Sequence, residues 1–214
     1  MSDTSASDPS VGEVPDPTAK SAPKDRATAG PFDESEANAV RPYVDLGGVK
    51  IVPRPDLHLR LEVEEGSKRV VAVGLDYAGS TLQVQPFAAP RSSGLWHEIR
   101  EQIIEQIHKQ GGNTKLIQGS FGPEVLAEIP VAAGTQPAGT RLARFIGVDG
   151  PRWFLRGVIA GEGVLNPDAA AKIEELFRSI VVVRGNSPMP PRDLIPLHMP
   201  SAGADNSKTP PGRA

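Results

Sequence analysis

Apolar and polar positions alternate between residues 57 and 87. Leu57, Leu59, Leu61 and Val63 fall on one side of an extended run, with His58, Arg60, Glu62 and Glu64 on the other. The turn Glu65-Gly66-Ser67 leads into a second run, Arg69 to Leu75, and Asp76 to Ser80 leads into a third, Thr81 to Phe87. Short glycine-bearing turns between such runs predict antiparallel hairpins. Tyr43 to Val52 predicts an earlier strand, interrupted by Gly47 and Gly48.

The period then changes to about 3.6 residues. Over residues 94–110, Trp96, Ile99, Ile103, Ile104 and Ile107 share one side, and Glu98, Glu101, Glu105 and Lys109 the other. This is an amphipathic helix with Ser92 or Ser93 as its cap and Gly111-Gly112 as its stop. Strand signals resume at residues 114–117, 124–131, 141–148 and 152–160, the last two joined by Asp149-Gly150-Pro151. A second helix opens with Asn166 as cap and Pro167 in its first turn. It turns Ala169, Ala170, Ile173, Leu176, Phe177 and Ile180 inward, then gives way to the β-branched run Ile180 to Val183. The expectation is an α+β domain: an antiparallel or mixed sheet of about six to eight strands packed by two amphipathic helices. The order strand, turn, strand, helix occurs over residues 69–111 and again over 141–185, a β-β-α pseudo-repeat supported by Gly74-Leu75-Asp76 and Gly147-Val148-Asp149.

Composition adds the ends. Residues 1–36 hold eight acidic groups against three basic ones, with five prolines and few large apolar residues. Such a stretch buries too little to offset its ordering entropy, so residues 1–39 read as a disordered acidic tail and 201–214 as a second one. The single domain spans 40–185. In residues 186–200, Met189, Leu194, Ile195, Leu197 and Met199 alternate with Pro188, Pro190, Pro191, Pro196 and Pro200. Proline forbids a helix there and the apolar residues need cover, so the segment either runs extended across its own domain or docks on another protein.

From Ala37 to Pro200 there are 18 basic and 17 acidic residues, a balance that argues against nucleic acid as partner. No cysteine is present, which rules out disulfides, thiolate metal sites and a cysteine nucleophile. No run of apolar residues is long enough for a membrane-spanning helix, and no basic start precedes an apolar stretch, so the expected location is the cytoplasm.

Three motifs carry a resemblance: Pro90-Arg91-Ser92-Ser93-Gly94-Leu95-Trp96, then Gly147 to Gly157, then Val181 to Gly185 with Pro188-Met189-Pro190-Pro191-Arg192. Over about Val40 to Pro200 the chain resembles an actinobacterial family of cytoplasmic proteins described as a domain of unknown function. That family implies no activity, ligand or catalytic residue. The strand–helix order is also similar to PsbP-like and Mog1-like domains, an architectural likeness that implies a binding or accessory module.

Candidate chemistry is sparse. Arg152, Trp153 and Arg156, with Arg144 on the neighbouring strand, group residue types that are enriched where partners dock. Arg91, with Ser92, Ser93 and Gly94 at a helix start and Trp96 behind them, could cradle an anion on free backbone N–H groups. His97, Glu101, Glu105 and His108 share one arc of the first helix, but nothing completes a metal's ligand set, so neither metal nor cofactor is assigned. No nucleophile elbow or His-Glu-x-x-His pattern occurs. Two readings follow: a non-enzymatic module that binds a protein, itself included, or a small-molecule or anion-binding domain, with catalysis open, that uses the arginines of the 141–156 hairpin.

Overall fold

A computed structural model describes residues 16–131 and 139–200. Seven antiparallel strands make the main sheet: β4 (His58–Val63), β5 (Val70–Tyr77), β6 (Ser80–Ala88), β7 (Asn113–Gly119), β8 (Gly122–Pro130), β9 (Thr140–Asp149) and β10 (Trp153–Gly161), in the order β4-β5-β6-β10-β9-β8-β7. The two hairpin series meet at the centre, where β10 pairs with β6 from Trp153↔Ala88 to Gly161↔Ser80. A second, four-stranded sheet has the order β1-β11-β3-β2 and consists of β1 (Phe32–Asp33), β2 (Val44–Asp45), β3 (Val49–Ile51) and β11 (Val181–Val182). The helices are α1 (Arg26–Ala29), α2 (Trp96–Lys109), α3 (Glu162–Leu165) and α4 (Pro167–Arg178). The fold is α+β, and the strands of the main sheet and both long helices lie within a few residues of where periodicity puts them.

Strand alternation gives the main sheet two faces with separate cores. On one face Val73, Leu75, Leu82, Val84, Ile146, Trp153, Leu155 and Ile159 pack under α4 and the small sheet, which contribute Ile173, Leu176, Phe177, Val49, Ile51 and Val182. On the other, Phe154, Ala127, Phe145 and Phe87 pack under Trp96, Ile103 and Ile107 of α2. The repeat is therefore one of element order, because its two helices lie on opposite faces of the sheet. Asn166 caps α4 by accepting from the backbone N–H groups of Asp168 (2.9 Å) and Ala169 (3.4 Å), ahead of Pro167.

Contacts with the domain begin earlier along the chain than composition implies. Residues 16–39 lie on the domain, not in a tail, through a few specific bonds rather than through apolar mass. Trp153 Nε1 donates to Asp33 Oδ2 at 2.9 Å, and Arg26 lies over the Trp153 ring while forking onto Glu36 at 2.8 and 2.6 Å. Residues 1–15 and 201–214 lie outside the described residues. The proline-rich segment lies along the domain, with Ile195 and Leu197 buried. Ile195 N–H donates to Pro86 O, Gly48 N–H to Pro196 O, and His198 N–H to Leu46 O.

A buried ionic group ties the β7–β8 turn to α4. Glu124, fully buried on β8, accepts from Phe121 N–H at 3.2 Å and faces Arg144 Nε at 2.8 Å, an ion pair too bent for a hydrogen bond. Arg144 also bonds Glu174 of α4, which accepts from Ser120 Oγ at 2.6 Å. Burial pushes the Glu124 carboxyl up, and Arg144 opposes that shift without reversing it. A raised folded value means that the stability tied to this group is full below the ordinary carboxylate range and is lost as pH rises through the folded value. Urea midpoints of the wild type and Glu124→Gln, measured between about pH 4 and pH 7, should shift relative to each other in favour of the variant as pH rises.

Candidate functional site

The helix start that the sequence offers as an anion cradle is already filled. Leu95 precedes α2 and no side chain of Ser92 or Ser93 caps it. Instead Asp149, at the end of β9, turns its buried carboxylate onto the first turn. Leu95 N–H donates to Oδ1 at 2.8 Å, and Trp96 N–H to Oδ2 at 3.4 Å. The cap is tertiary, supplied from more than fifty residues away, and it supplies the negative charge that the helix dipole favours. Gly94 has to be small here, since a Cβ would lie 2.6 Å from both Asp149 Oδ2 and Ala19 O.

The same carboxylate holds the N-terminal segment. Ser21 N–H donates to Asp149 Oδ2 at 3.0 Å while Asp149 N–H donates to Ser21 O at 2.8 Å. Gly94 N–H donates to Thr18 O at 2.8 Å, and Lys20 Nζ reaches the carbonyls of Gly150 (2.6 Å) and Pro151 (2.8 Å). Burial raises the Asp149 carboxyl's pKa, against the pull of the three N–H donors and Lys20. Burial likewise lowers Lys20, with Asp149 opposing.

This strap walls a cleft of about 570 Å³ between α2 and the β7–β8 hairpin, lined by Asp16, Ala19, Lys20, Ser21, His97, Arg100, Leu116, Ile117, Gln118 and Pro123. The volume lies within the ordinary range for small-molecule sites, about 300–1,000 Å³. Trp96 Nε1 donates to Pro123 O at 2.6 Å and fixes the helix against the hairpin at that end. Arg100 is only 7% exposed. Its Nη2 donates to His97 Nδ1 at 3.0 Å, its Nε finds no acceptor, and no carboxylate lies within ion-pair reach among the described residues. A buried cation without a counter-ion is costly, and it marks a place where an anion would be welcome.

The residues singled out by sequence do not converge on this cleft. Arg91 is exposed beside the helix start. Trp96 is buried, stacked on Phe154 with ring centroids 5.8 Å apart. Arg144 belongs to the Glu124–Glu174 group on the opposite face, and Trp153 is buried there beneath Arg26. Arg152 Nη2 donates to Gly185 O at 3.0 Å. Arg156 projects from the α2 side of the sheet, bonds Gln85 and lies 5.9 Å from the Phe87 ring centre. Of the helix arc considered for metal, His97 holds Arg100, His108 shares a 2.8 Å bond with Thr114 Oγ1, and Glu105 pairs with Lys109 at 2.7 Å. Arg100 was missed because its position on α2 sits at the edge of the isoleucine stripe, where the pattern allows a snorkelling arginine as readily as a buried one.

A family model, Protein of unknown function (DUF3710), matches residues 30–206. The chain belongs to this family. Comparison with curated proteins gives no match. The DUF3710 match covers the whole main sheet and both long helices, whereas the strap residues 16–29 precede it. No helix among the described residues is long and apolar enough to cross a membrane.

If Asp149 organises this end of the molecule, removing one of its two acceptor oxygens should be felt at both elements that it holds. Asp149→Asn is expected to cost about 2 kcal/mol of stability, the scale of a buried N–H left without its acceptor, read from urea denaturation. Amide exchange should accelerate at Ser21, Leu95 and Trp96 more than in the rest of the sheet.

Proposed function

We propose that this domain is a non-enzymatic binding module whose cleft between α2 and the β7–β8 hairpin takes a small anionic ligand. One observation carries the reading: Arg100 is buried at the cleft wall with no carboxylate in ion-pair reach among the described residues and with only a histidine nitrogen for company. An arginine that serves structure alone is normally paired, as Arg144 is with Glu124 and Glu174. An anion in the cleft would supply the missing counter-charge, and charge-assisted hydrogen bonds are about twice as strong as neutral ones.

Without ligand, replacing a buried unpaired cation by an apolar residue of similar shape should be neutral or stabilising. Arg100→Met is therefore expected to melt at the wild-type temperature or above it in chloride buffer. Ligand changes the order, because binding to the native state alone raises stability by RT ln(1 + [L]/Kd). Acetate, octanoate, sulfate and inorganic phosphate form the panel for a thermal-shift assay. At least one should raise the wild-type melting temperature and leave Arg100→Met unmoved; a wild type that responds to none of them would defeat the proposal.

A second reading, protein docking on the open part of the same sheet face, is favoured by Arg156. It is half-buried, has no carboxylate partner among the described residues, and stands beside the polar floor formed by Gln83, Gln85, Glu62, Arg60 and Asp76. Self-association through this face would appear in light scattering as a mass above the monomer that Arg156→Glu abolishes. A constant monomer mass across concentration would count against it.

A further inference from the structure

We infer that the cleft recognises a monocarboxylate carrying an extended apolar body, rather than a phosphate or a small free anion. This rests on the reading of the cleft as an anion site and names its ligand class.

Charge sets the headgroup. Lys20 Nζ is occupied by the Gly150 and Pro151 carbonyls and has Asp149 beside it, so its ammonium already has acceptors within the protein. A guanidinium only donates, so His97 Nδ1 must accept from Arg100 Nη2; the ring is then neutral, with its remaining proton on Nε2. His97 adds a donor to the wall and not a second positive charge. One buried cation is left, Arg100, matched by one negative charge. A dianionic phosphate would bring its second charge close to Asp149, which is buried behind Ser21, and to Asp16 at the cleft wall. A carboxylate offers two oxygens in a plane, the shape that a guanidinium edge receives best.

The rest of the lining sets the body. Leu116, Ile117, Pro123 and Ala19 give the cleft apolar walls, and Leu116 is 54% exposed on the outer strand of the sheet. At about 30 Å³ per water, a cleft of about 570 Å³ has room for well over ten waters, so acetate or free phosphate would leave most of it unfilled. A chain of methylenes would cover Leu116 and displace that water, with each buried methylene contributing about fourfold in affinity.

The test is calorimetric titration of the full chain with acetate, butyrate, hexanoate and octanoate, and with octyl phosphate, inorganic phosphate and 1-octanol. Octanoate is expected to bind one to one. Affinity should climb about fourfold per methylene along the series, and octyl phosphate should bind at least tenfold more weakly than octanoate. Arg100→Met should weaken octanoate at least tenfold. Leu116→Asp, at an exposed position where folding is not at stake, should do so as well by placing a carboxylate on the apolar wall. If octyl phosphate or inorganic phosphate binds as tightly as octanoate, the ligand class is wrong while the anion site stands. Octanol binding as tightly as octanoate would overturn the anion site itself, and silence from every ligand would overturn both.

Discussion

Everything distinctive about this end of the molecule hangs on the buried carboxylate of Asp149. It sits where β9 ends, accepts two N–H groups from the first turn of α2 and one from the N-terminal strap, and gives its own N–H back to Ser21. Burial makes the charge costly, as the upward push on its pKa records, yet the three donors and Lys20 keep a place for it. The consequence is geometric. Asp149 registers helix and strap against β9, Trp96 Nε1 ties the β7–β8 hairpin to the helix at Pro123 O, and the cleft is the space that they leave. Moving any one of them would change its width.

The fold was largely legible because its signals are local. Alternation over 57–87 needs no tertiary partner to be read, nor does the isoleucine stripe of α2 or the Asn166-Pro167 start of α4. What could not be read was contributed from far along the chain. Ser92 and Ser93 look like caps by type and position, but the cap is Asp149, whose reach to Leu95 depends on how β9 is placed beside α2. The strap shows the same limit. Residues 16–39 are acidic and proline-rich, so composition reads them as solvated. A handful of directional bonds holds them, and hydrogen bonds leave no trace in hydropathy. The small sheet was legible only in part: β2, β3 and β11 fall within the runs Tyr43 to Val52 and Ile180 to Val183, but β1 lies in the acidic segment and no local pattern says that these four strands pair.

The candidate residues scattered for a related reason. Trp153 and Arg156 lie three positions apart on one strand, so the pleat sends them to opposite faces, one under Arg26 and the other beside Phe87. Sequence proximity in a strand separates side chains that it would gather on a helix. His97 and Arg100, also three apart, are neighbours because they sit on a helix turn.

Three arginines illustrate what burial demands of a cation. Arg144 is ion-paired with two carboxylates and serves to pin the β7–β8 turn to α4. Arg156 is half-covered, and burial lowers its pKa with no acidic group to counter it; Gln85 and the face of Phe87 provide partial compensation, and the open sheet leaves water within reach. Among the described residues Arg100 has neither carboxylate nor aromatic face, and it is the most deeply covered of the three, at a cavity wall. An apolar side chain of similar length would fill its place on α2 at lower cost. The guanidinium is therefore best understood through the cavity that it borders: of the three, it alone combines deep burial, no carboxylate in reach among the described residues and adjoining space large enough for the partner that it lacks.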